Sequence, residues 1–585
     1  MSKNVTVTID SQKVTVPAGV TVWGAARKLG INIPTLCHHF DVKPYSGCRV
    51  CLVEVKGGRA LAAACSFPVS DGLEIYTNTP KVREARRLVV ELLLANHPHD
   101  CLTCDRNQNC ELQRLALDLG VKEIRFEKSK PTWEIDRTSP SLVRDPNKCV
   151  LCGRCVRFCS DKQTCAVYTF ANRGFSSIVT PAFGKGLGEV ACTLCGQCST
   201  ICPVGAITVK DDTEAVLKAI DDPEKIVIVQ TAPSVRVALG ELFGQAPGSI
   251  VTGKMVAGLK RVGFDRVLDT NFTADVTIME EATEFLHRLG SPDKGKMPMI
   301  TSCSPGWINF MEMFYPDLVE HHSTCKSPQQ IFGALVKTFY AEREKIDPAR
   351  IVSVSIMPCT AKKFECTRPE MNASGYQDVD YVLTTRELGK LFKSCGVSFD
   401  DIKPEAYDPV MGIGTGAGTI FGNTGGVMEA ALRTAYEVVT KKTLPALELT
   451  AVRGMAGLRE AEIDLDGTKI KVAIAHGLGN ARKVMEAIKA GNPNNWHFIE
   501  VMACPGGCIS GGGQPIAHDI NYRAKRTAGL YEDDRQLQFR KSHENPEVKA
   551  LYAEYLKEPG GHMSHKLLHT TFHNAHMDLF TVLES

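Results

Sequence analysis

Cys149, Cys152, Cys155 and Cys159 stand at C-x2-C-x2-C-x3-C spacing, and Cys192, Cys195, Cys198 and Cys202 repeat it, with Pro203 next. Two such runs of soft thiolates suit two [4Fe–4S] cubes. Upstream, Cys37, Cys48, Cys51 and Cys65 form C-x10-C-x2-C-x13-C. Four thiolates there suit a [2Fe–2S] cluster, in which each iron takes two cysteines, with zinc as the alternative metal. Between these sets lie only three thiolates, Cys101, Cys104 and Cys110, preceded by His97 and His99. One residue separates His99 from Cys101. Three separate His97 from it, one of them a proline, so the chain can turn back toward a metal. The spacing therefore selects His97 with Cys101, Cys104 and Cys110 for a further cube; a water ligand beside three cysteines is the alternative.

Four more cysteines fall at the ends of short apolar runs: Cys303 after "MPMIT", Cys359 after "IVSVSIM", and Cys504 and Cys508 after "WHFIEVM". "KIVIVQTAPS" shares that layout. Apolar runs between helical stretches read as buried parallel strands, and sites in open α/β sheets form beyond the strands' carboxyl ends. These cysteines are therefore expected to converge on one pocket. In "IMEEATEFLHR", Glu281 and Glu284 lie one helical turn apart on one face, which suits a proton path or simply two solvated carboxylates.

The elements that must position these groups follow from the same reading. "NVTVTID" and "KVTVPAG" alternate as a hairpin does, and "TVWGAARKLG" reads as a short helix closed by glycine. "KVREARRLVVELLLANH" reads as a helix leading to His97. The fold class is multidomain α+β and α/β. Expected modules are a β-grasp [2Fe–2S] domain at 1–78, a [4Fe–4S] domain with one histidine and three cysteine ligands at 79–118, and a two-cube domain at 139–210. An α/β catalytic domain at 224–515 and a small helical segment at 516–585 follow. The chain has 585 residues, 43% hydrophobic, with net charge +2 and 23 cysteines. That balance excludes a nucleic-acid-scale basic surface. The start shows no secretory signal and no run approaches a membrane span, so the expectation is a cytoplasmic protein with metal-bound thiols rather than disulfides. Cys165, Cys325, Cys366 and Cys395 fit no set and are expected to be small buried hydrophobes.

The two runs resemble bacterial two-cluster ferredoxins, in which the fourth cysteine of each run serves the other cube. The resemblance implies Cys149, Cys152, Cys155 and Cys202 on one cube and Cys192, Cys195, Cys198 and Cys159 on the other. Over essentially its whole length the chain resembles the [FeFe]-hydrogenases. "TSCSPGW" (301–307), "MPCTAKKFE" (357–365) and "EVMACPGGCISGGGQP" (500–515) carry the match, supported by "TAPSVRV" (231–237) and "SPQQIFG" (327–333). "SHENPEV" and "GGHMSHKLLHTTF" resemble that family's small subunit. The glycine-rich "GIGTGAGTIFGNTGG" (412–426) matches a pocket segment better than a phosphate loop.

The resemblance implies reversible H2 oxidation at an H-cluster: a [4Fe–4S] cube joined to a two-iron unit with CO, cyanide and a dithiolate, fed by one [2Fe–2S] and three accessory [4Fe–4S] clusters. Cys508 matches the bridging cysteine, Cys359 and Cys504 other cube ligands, and Lys362 a lysine bonding a cyanide. Ser234, Gln329, Met357 and Met502 match pocket residues. The proton path maps onto Cys303, Glu281, Ser323 and Glu284, with Arg288 at its surface end. The family's first motif reads T-S-C-C-P, its first cysteine passing protons and its second ligating the cube. Here Ser304 stands in the second position, so either Ser304 binds iron through oxygen, or the loop shifts so that Cys303 binds and the thiol relay is lost, or the serine is a variant. Thiolate is the softer iron ligand, which favours Cys303 as the metal ligand. No nucleotide fingerprint is present. The module set resembles the hydrogenase subunit of NAD(P)-linked complexes, with flavin and [2Fe–2S] partner subunits, and also ferredoxin-linked monomers. Respiratory iron–sulfur subunits, H2 sensors and iron–sulfur assembly proteins are the other classes.

Overall fold

The computed structural model describes residues 3–291, 295–465, 467–517 and 520–573. The expected C-terminal segment thus reaches His573, and 574–585 lie outside the described residues. Two compact units form: one runs to Val190 and includes Ile201–Thr208, the other holds Ala191–Thr200 and Val209 onward.

In the first unit, Asn4–Ile9 pairs antiparallel with Gln12–Pro17. Asp10 and Ser11 take φ of 46° and 68° between them, the left-handed pair that matches the twist of a two-residue hairpin. Val5, Val7 and Ile9 turn inward while their neighbours face out, as period-two alternation requires. Glu74–Tyr76 adds parallel to the first strand, and Leu52–Val55 and Ala62–Ala63 complete a five-stranded sheet. The short helix Val22–Lys28 covers it; Thr21 caps the helix by accepting from the Gly24 N–H. Pro80–Ala95 forms the expected second helix, with Thr79 as cap and proline at its first turn, where a missing N–H costs nothing.

The two cysteine runs repeat in backbone as well as sequence. Leu151 and Gly153 have φ of 52° and 66°, and Leu194 and Gly196 have φ of 57° and 67°. The same left-handed steps curl each loop around its thiols, and the Leu151 N–H points at Cys149 Sγ at 3.4 Å.

The second unit has two four-stranded sheets. In one, Arg266–Asp269, Ile226–Thr231, Ile351–Met357 and Tyr381–Thr384 lie side by side, all parallel. In the other, Met299–Ile300, Phe498–Met502 and Thr468–His476 are parallel and Leu458–Leu465 is an antiparallel edge. The four apolar runs are strands, but they divide between two sheets rather than sharing one. Thr270–Gly290 is a 21-residue helix capped by Asp269 and buried along most of its length. The C-terminal helices Pro546–Leu551 and His562–Leu568 pack on it, with Val548, Leu551, Leu567 and Leu568 in one core with Phe272 and Val276. Asp275 pins this junction: Thr415 and Ser542 hydroxyls donate to it at 2.6 and 2.7 Å, and Asn545 Nδ2 at 3.0 Å. Among the described residues no helix is long and apolar enough to cross a membrane. Cys325 and Cys366 are buried, as expected for spare thiols, but Cys165 is half-buried and Cys395 is exposed at a helix end.

Candidate active site

In the first unit, the Cys37 N–H points at Cys48 Sγ at 3.4 Å. Cys37 interacts directly with Cys48 and Cys65, and Cys51 with Cys65, so the four sulfurs gather at one point. The two histidines separate clearly. His99 spends Nε2 on the Leu94 carbonyl at 3.1 Å. His97 is buried, its Nδ1 has no hydrogen-bond partner, and burial lowers its pKa to about 4. A neutral imidazole with an idle buried nitrogen fits a metal ligand, because that orphaned atom otherwise carries a desolvation cost. A side chain at Gly205 would meet Cys104 Sγ at 2.8 Å, so glycine leaves that thiol its space. Cys149, Cys152, Cys155 and Cys202 line one small cavity, the grouping implied by crossed ligation. Cys192, Cys195 and Cys198 belong to the second unit and Cys159 to the first.

In the second unit, sheet ends deliver Ser234, Cys303, Met357, Cys359, Met502 and Cys508 to one cavity of about 70 Å³. That is several times the ~10–15 Å³ one water needs by the same measure. Ser304, Gln329 and Lys362 complete the wall, with Phe421 and Gly422 from the glycine-rich segment. Burial raises the thiols of Cys359 to about 11 and Cys508 to about 12, and Cys504 well above the usual range. Buried thiols of this kind either stay protonated or give up the proton to a metal. Lys362 Nζ donates to Glu365 at 2.8 Å and to the Cys303 carbonyl at 3.3 Å. Gln329 Nε2 donates to Glu365 at 3.1 Å, leaving Gln329 Oε1 buried without a partner. Idle polar atoms beside gathered thiols fit a bulky group with polar ligands.

Cys303 and Ser304 both line the cavity but have different neighbours. The Ser304 hydroxyl accepts from the Ala503 N–H at 3.3 Å, one residue before Cys504. After burial, the strongest influences raising the Cys303 thiol are the charges of Glu281 and Cys508. Cys303 thus lies between the thiol group and the carboxylates.

Glu281 has no exposure. Burial first, and then the Glu284 charge, push its pKa up to about 8, while the Ser302 N–H and Ser323 hydroxyl pull the other way. Ser323 Oγ donates to Glu284 Oε2 at 2.8 Å, and Arg288 Nη2 to Glu284 Oε1 at 2.6 Å. Arg288, expected at the surface, is 4% exposed and also donates to the Lys296, Glu320 and His322 carbonyls. Sequence reasoning named these residues but missed Thr270 and Ala274 in the wall, ordinary residues outside every quoted motif.

The loop of the second cysteine run meets the glycine-rich turn. Gln197 Nε2 donates to the Ser510 carbonyl at 2.8 Å and Thr360 Oγ1 to the Leu194 carbonyl at 2.7 Å. A Cβ on Gly512 would stand 2.4 Å from the Cys195 carbonyl, so only glycine permits this approach.

Cysteine loops beside a thiol-walled cavity, with buried carboxyl groups behind it, are the makings of an iron–sulfur oxidoreductase. Residues 225–512 match the C-terminal domain of the iron only hydrogenase large subunit, and 520–575 the iron hydrogenase small subunit. A 2Fe-2S cluster binding domain matches 2–80, the NADH-ubiquinone oxidoreductase-G iron-sulfur binding region 86–125, and a 4Fe-4S binding domain 189–208. The chain is 48% identical to NADP-reducing hydrogenase subunit HndD of Solidesulfovibrio fructosivorans, over 97% of this chain and 98% of that one. It is 40% identical to iron hydrogenase 1 of Clostridium pasteurianum, over 96% and 99%. [FeFe]-hydrogenase HydA1 from Chlamydomonas reinhardtii superposes with a TM-score of 0.56 at 44% identity, covering 62% of this chain and 99% of that chain. The chain belongs to the iron-only hydrogenase family. It is an oxidoreductase acting on H2, and its cofactors are iron–sulfur clusters with the family's H-cluster fold.

Proposed function

We propose that this chain catalyses H2 ⇌ 2H+ + 2e− in the 70 Å³ cavity and passes electrons singly through one [2Fe–2S] and three accessory [4Fe–4S] clusters. Cys37, Cys48, Cys51 and Cys65 hold the first, and His97, Cys101, Cys104 and Cys110 the second. The crossed runs hold the remaining two, in modules at 1–78, 79–118 and 139–210 ahead of a catalytic domain at 224–515. Cys359, Cys504 and Cys508 hold the H-cluster, with an oxygen of Ser304 in the fourth ligand position. When bound, that cluster supplies the cleavage of H2 and storage of its electrons.

The chain's own residues do the rest. Lys362 keeps a buried positive charge on the cavity wall, where it favours anionic ligands. Gln329 and Ser234 offer polar atoms at fixed places, and Met357 and Met502 exclude water. Cys303 holds a proton at Sγ and exchanges it with Glu281. A carboxyl raised to about 8 gains and loses a proton near neutral pH, as a relay must. Ser323 hands the proton to Glu284 through its hydroxyl. What supports this reading is a wholly buried Glu281, whose charge acts on Cys303 at the cavity wall, next to the 2.8 Å hydrogen bond from Ser323 to Glu284.

Similarity to the NADP-reducing subunit HndD over nearly the whole of both chains supports a place in a cytoplasmic NAD(P)-linked complex. Flavin and [2Fe–2S] partners would handle the nucleotide there, and ferredoxin is the alternative acceptor. Anaerobically matured protein should show carbonyl and cyanide infrared bands and reduce a dye with H2. Intact bands without turnover would instead assign it to H2 sensing or cluster assembly.

A further inference from the structure

Arg288 ends the relay as a proton path. Its guanidinium touches Glu284, but guanidinium nitrogens only donate and do not lose their protons in proteins. A proton on Glu284 must leave by another group. The Thr324 N–H, 3.1 Å from both Glu284 oxygens, can only donate as well, but this contact anchors the residue that reaches the next titratable group. The Thr324 hydroxyl lies 2.7 Å from His569 Nδ1. One threonine thus joins Glu284 to an imidazole on the C-terminal segment.

Glu284, Glu280, His287, His565 and His569 all line a cavity of about 1030 Å³. His322 lines it too, but burial lowers its pKa to about 3, too weak a base to carry protons near neutrality. His569 differs in its partners. Its Nε2 lies 3.1 Å from Glu280, which also accepts from Tyr552 Oη at 2.5 Å and the Gly560 N–H at 2.8 Å. Burial pushes Glu280 up, but these donors outweigh it and hold the carboxyl below its usual range. Glu280 is therefore a standing counter-ion for a protonated His569. The His569 side chain is 5% exposed, whereas His565 is exposed and its ring lies 4.3 Å from that of His569.

We propose that His569 takes the proton onward from Glu284 and His565 releases it, so that the C-terminal segment forms the outer end of the proton path. This rests on the hydrogenase reading above. The O–H bond of neutral Glu284 breaks and an N–H bond forms at His569 Nδ1 as the Thr324 hydroxyl turns aside. The imidazolium then gives its proton to His565 or to solvent, and no redox partner is needed. Glu280 and Glu284 on the long helix favour the charged ring. His565 on its own helix and His287 and Arg288 across the cavity oppose it. Tyr552 and Thr324 orient its partners.

The test uses matured, full-length protein as wild type, His569→Gln, His569→Ala and His565→Gln, with infrared bands confirming loading in each. H2-dependent dye reduction and H2/D2O exchange are followed from about pH 5.5 to 9, spanning the ordinary imidazole range of about 6.5. We expect His569→Ala to lose about tenfold or more in both rates, with an altered pH profile, and added imidazole to restore much of the loss. Wild-type rates at every pH with intact bands overturn the proposal. So does a loss in His569→Ala that imidazole leaves unchanged while His569→Gln behaves as wild type, which marks a hydrogen-bonding role only. Absent bands in the wild type instead strike the hydrogenase reading.

Discussion

Replacing Glu281 by glutamine should slow the enzyme and stabilise it at the same time. The carboxyl has an ordinary pKa of 4.5 and is raised to about 8 in the folded chain. Below pH 4.5 it is protonated in both states and contributes nothing. Between pH 4.5 and 8 the unfolded chain ionises and the folded chain does not, so each pH unit costs about 1.4 kcal/mol of stability. The penalty reaches about 5 kcal/mol near pH 8 and then levels off. Because the folded pKa is raised, stability falls as pH rises through this window. Glutamine has nearly the same shape and no charge to desolvate. The stability difference between Glu281→Gln and wild type should therefore grow from under about 1 kcal/mol at pH 5 to about 4 kcal/mol at pH 7.5. Denaturant midpoints of the catalytic domain, compared at four pH values under anaerobic conditions, measure it. Turnover should fall by about a hundredfold or more, because an amide cannot relay a proton. A pH-independent stability difference, or a variant that turns over like wild type, would refute the argument.

His97→Ala should remove roughly four irons per chain and one reduced-cube spin-resonance signal, while His99→Ala should leave both intact. Ser304→Cys offers the cube a softer ligand; iron loss to a chelator should slow several-fold and the cube's spectrum should shift. An unchanged spectrum would move the fourth ligand to Cys303. Lys362→Met leaves Glu365 charged and buried, with side-chain exposures of 9% and 6% in the native pair. It should cost about 3–5 kcal/mol and shift the cyanide infrared bands, and adding Glu365→Gln should recover stability but not the bands.

Much of the site was legible because chain reach limits where a ligand can go. Spacing alone favours His97 over His99, and His97 is the one with an idle buried nitrogen, while the repeated cysteine runs carry the same left-handed steps at Leu151 and Leu194. Pairs far apart in sequence were a different matter. Thr324 and His569 are 245 residues apart, and nothing in "GGHMSHKLLHTTF" says which residue His569 meets. Arg288 reads as a surface residue by type, yet its two terminal nitrogens find three carbonyls and Glu284, which offsets much of the cost of burial. The division of four apolar runs between two sheets was also hidden, since "MPMIT" contributes only two paired residues, Met299 and Ile300. The glycines of "CPGGCISGGGQP" carry the family match without showing what each one approaches. Gly512 approaches the backbone of another cysteine loop.

That last contact sets a length. Electron hops fade steeply with distance, and on the electron path proposed above the Cys195 loop and the turn after Cys508 meet through bare backbone. A single methyl group at position 512 would act as a wedge, prising the two carriers apart without touching any metal, thiol or charge. The throughput of the whole conduit is thus guarded by a residue whose entire contribution is the atom it lacks.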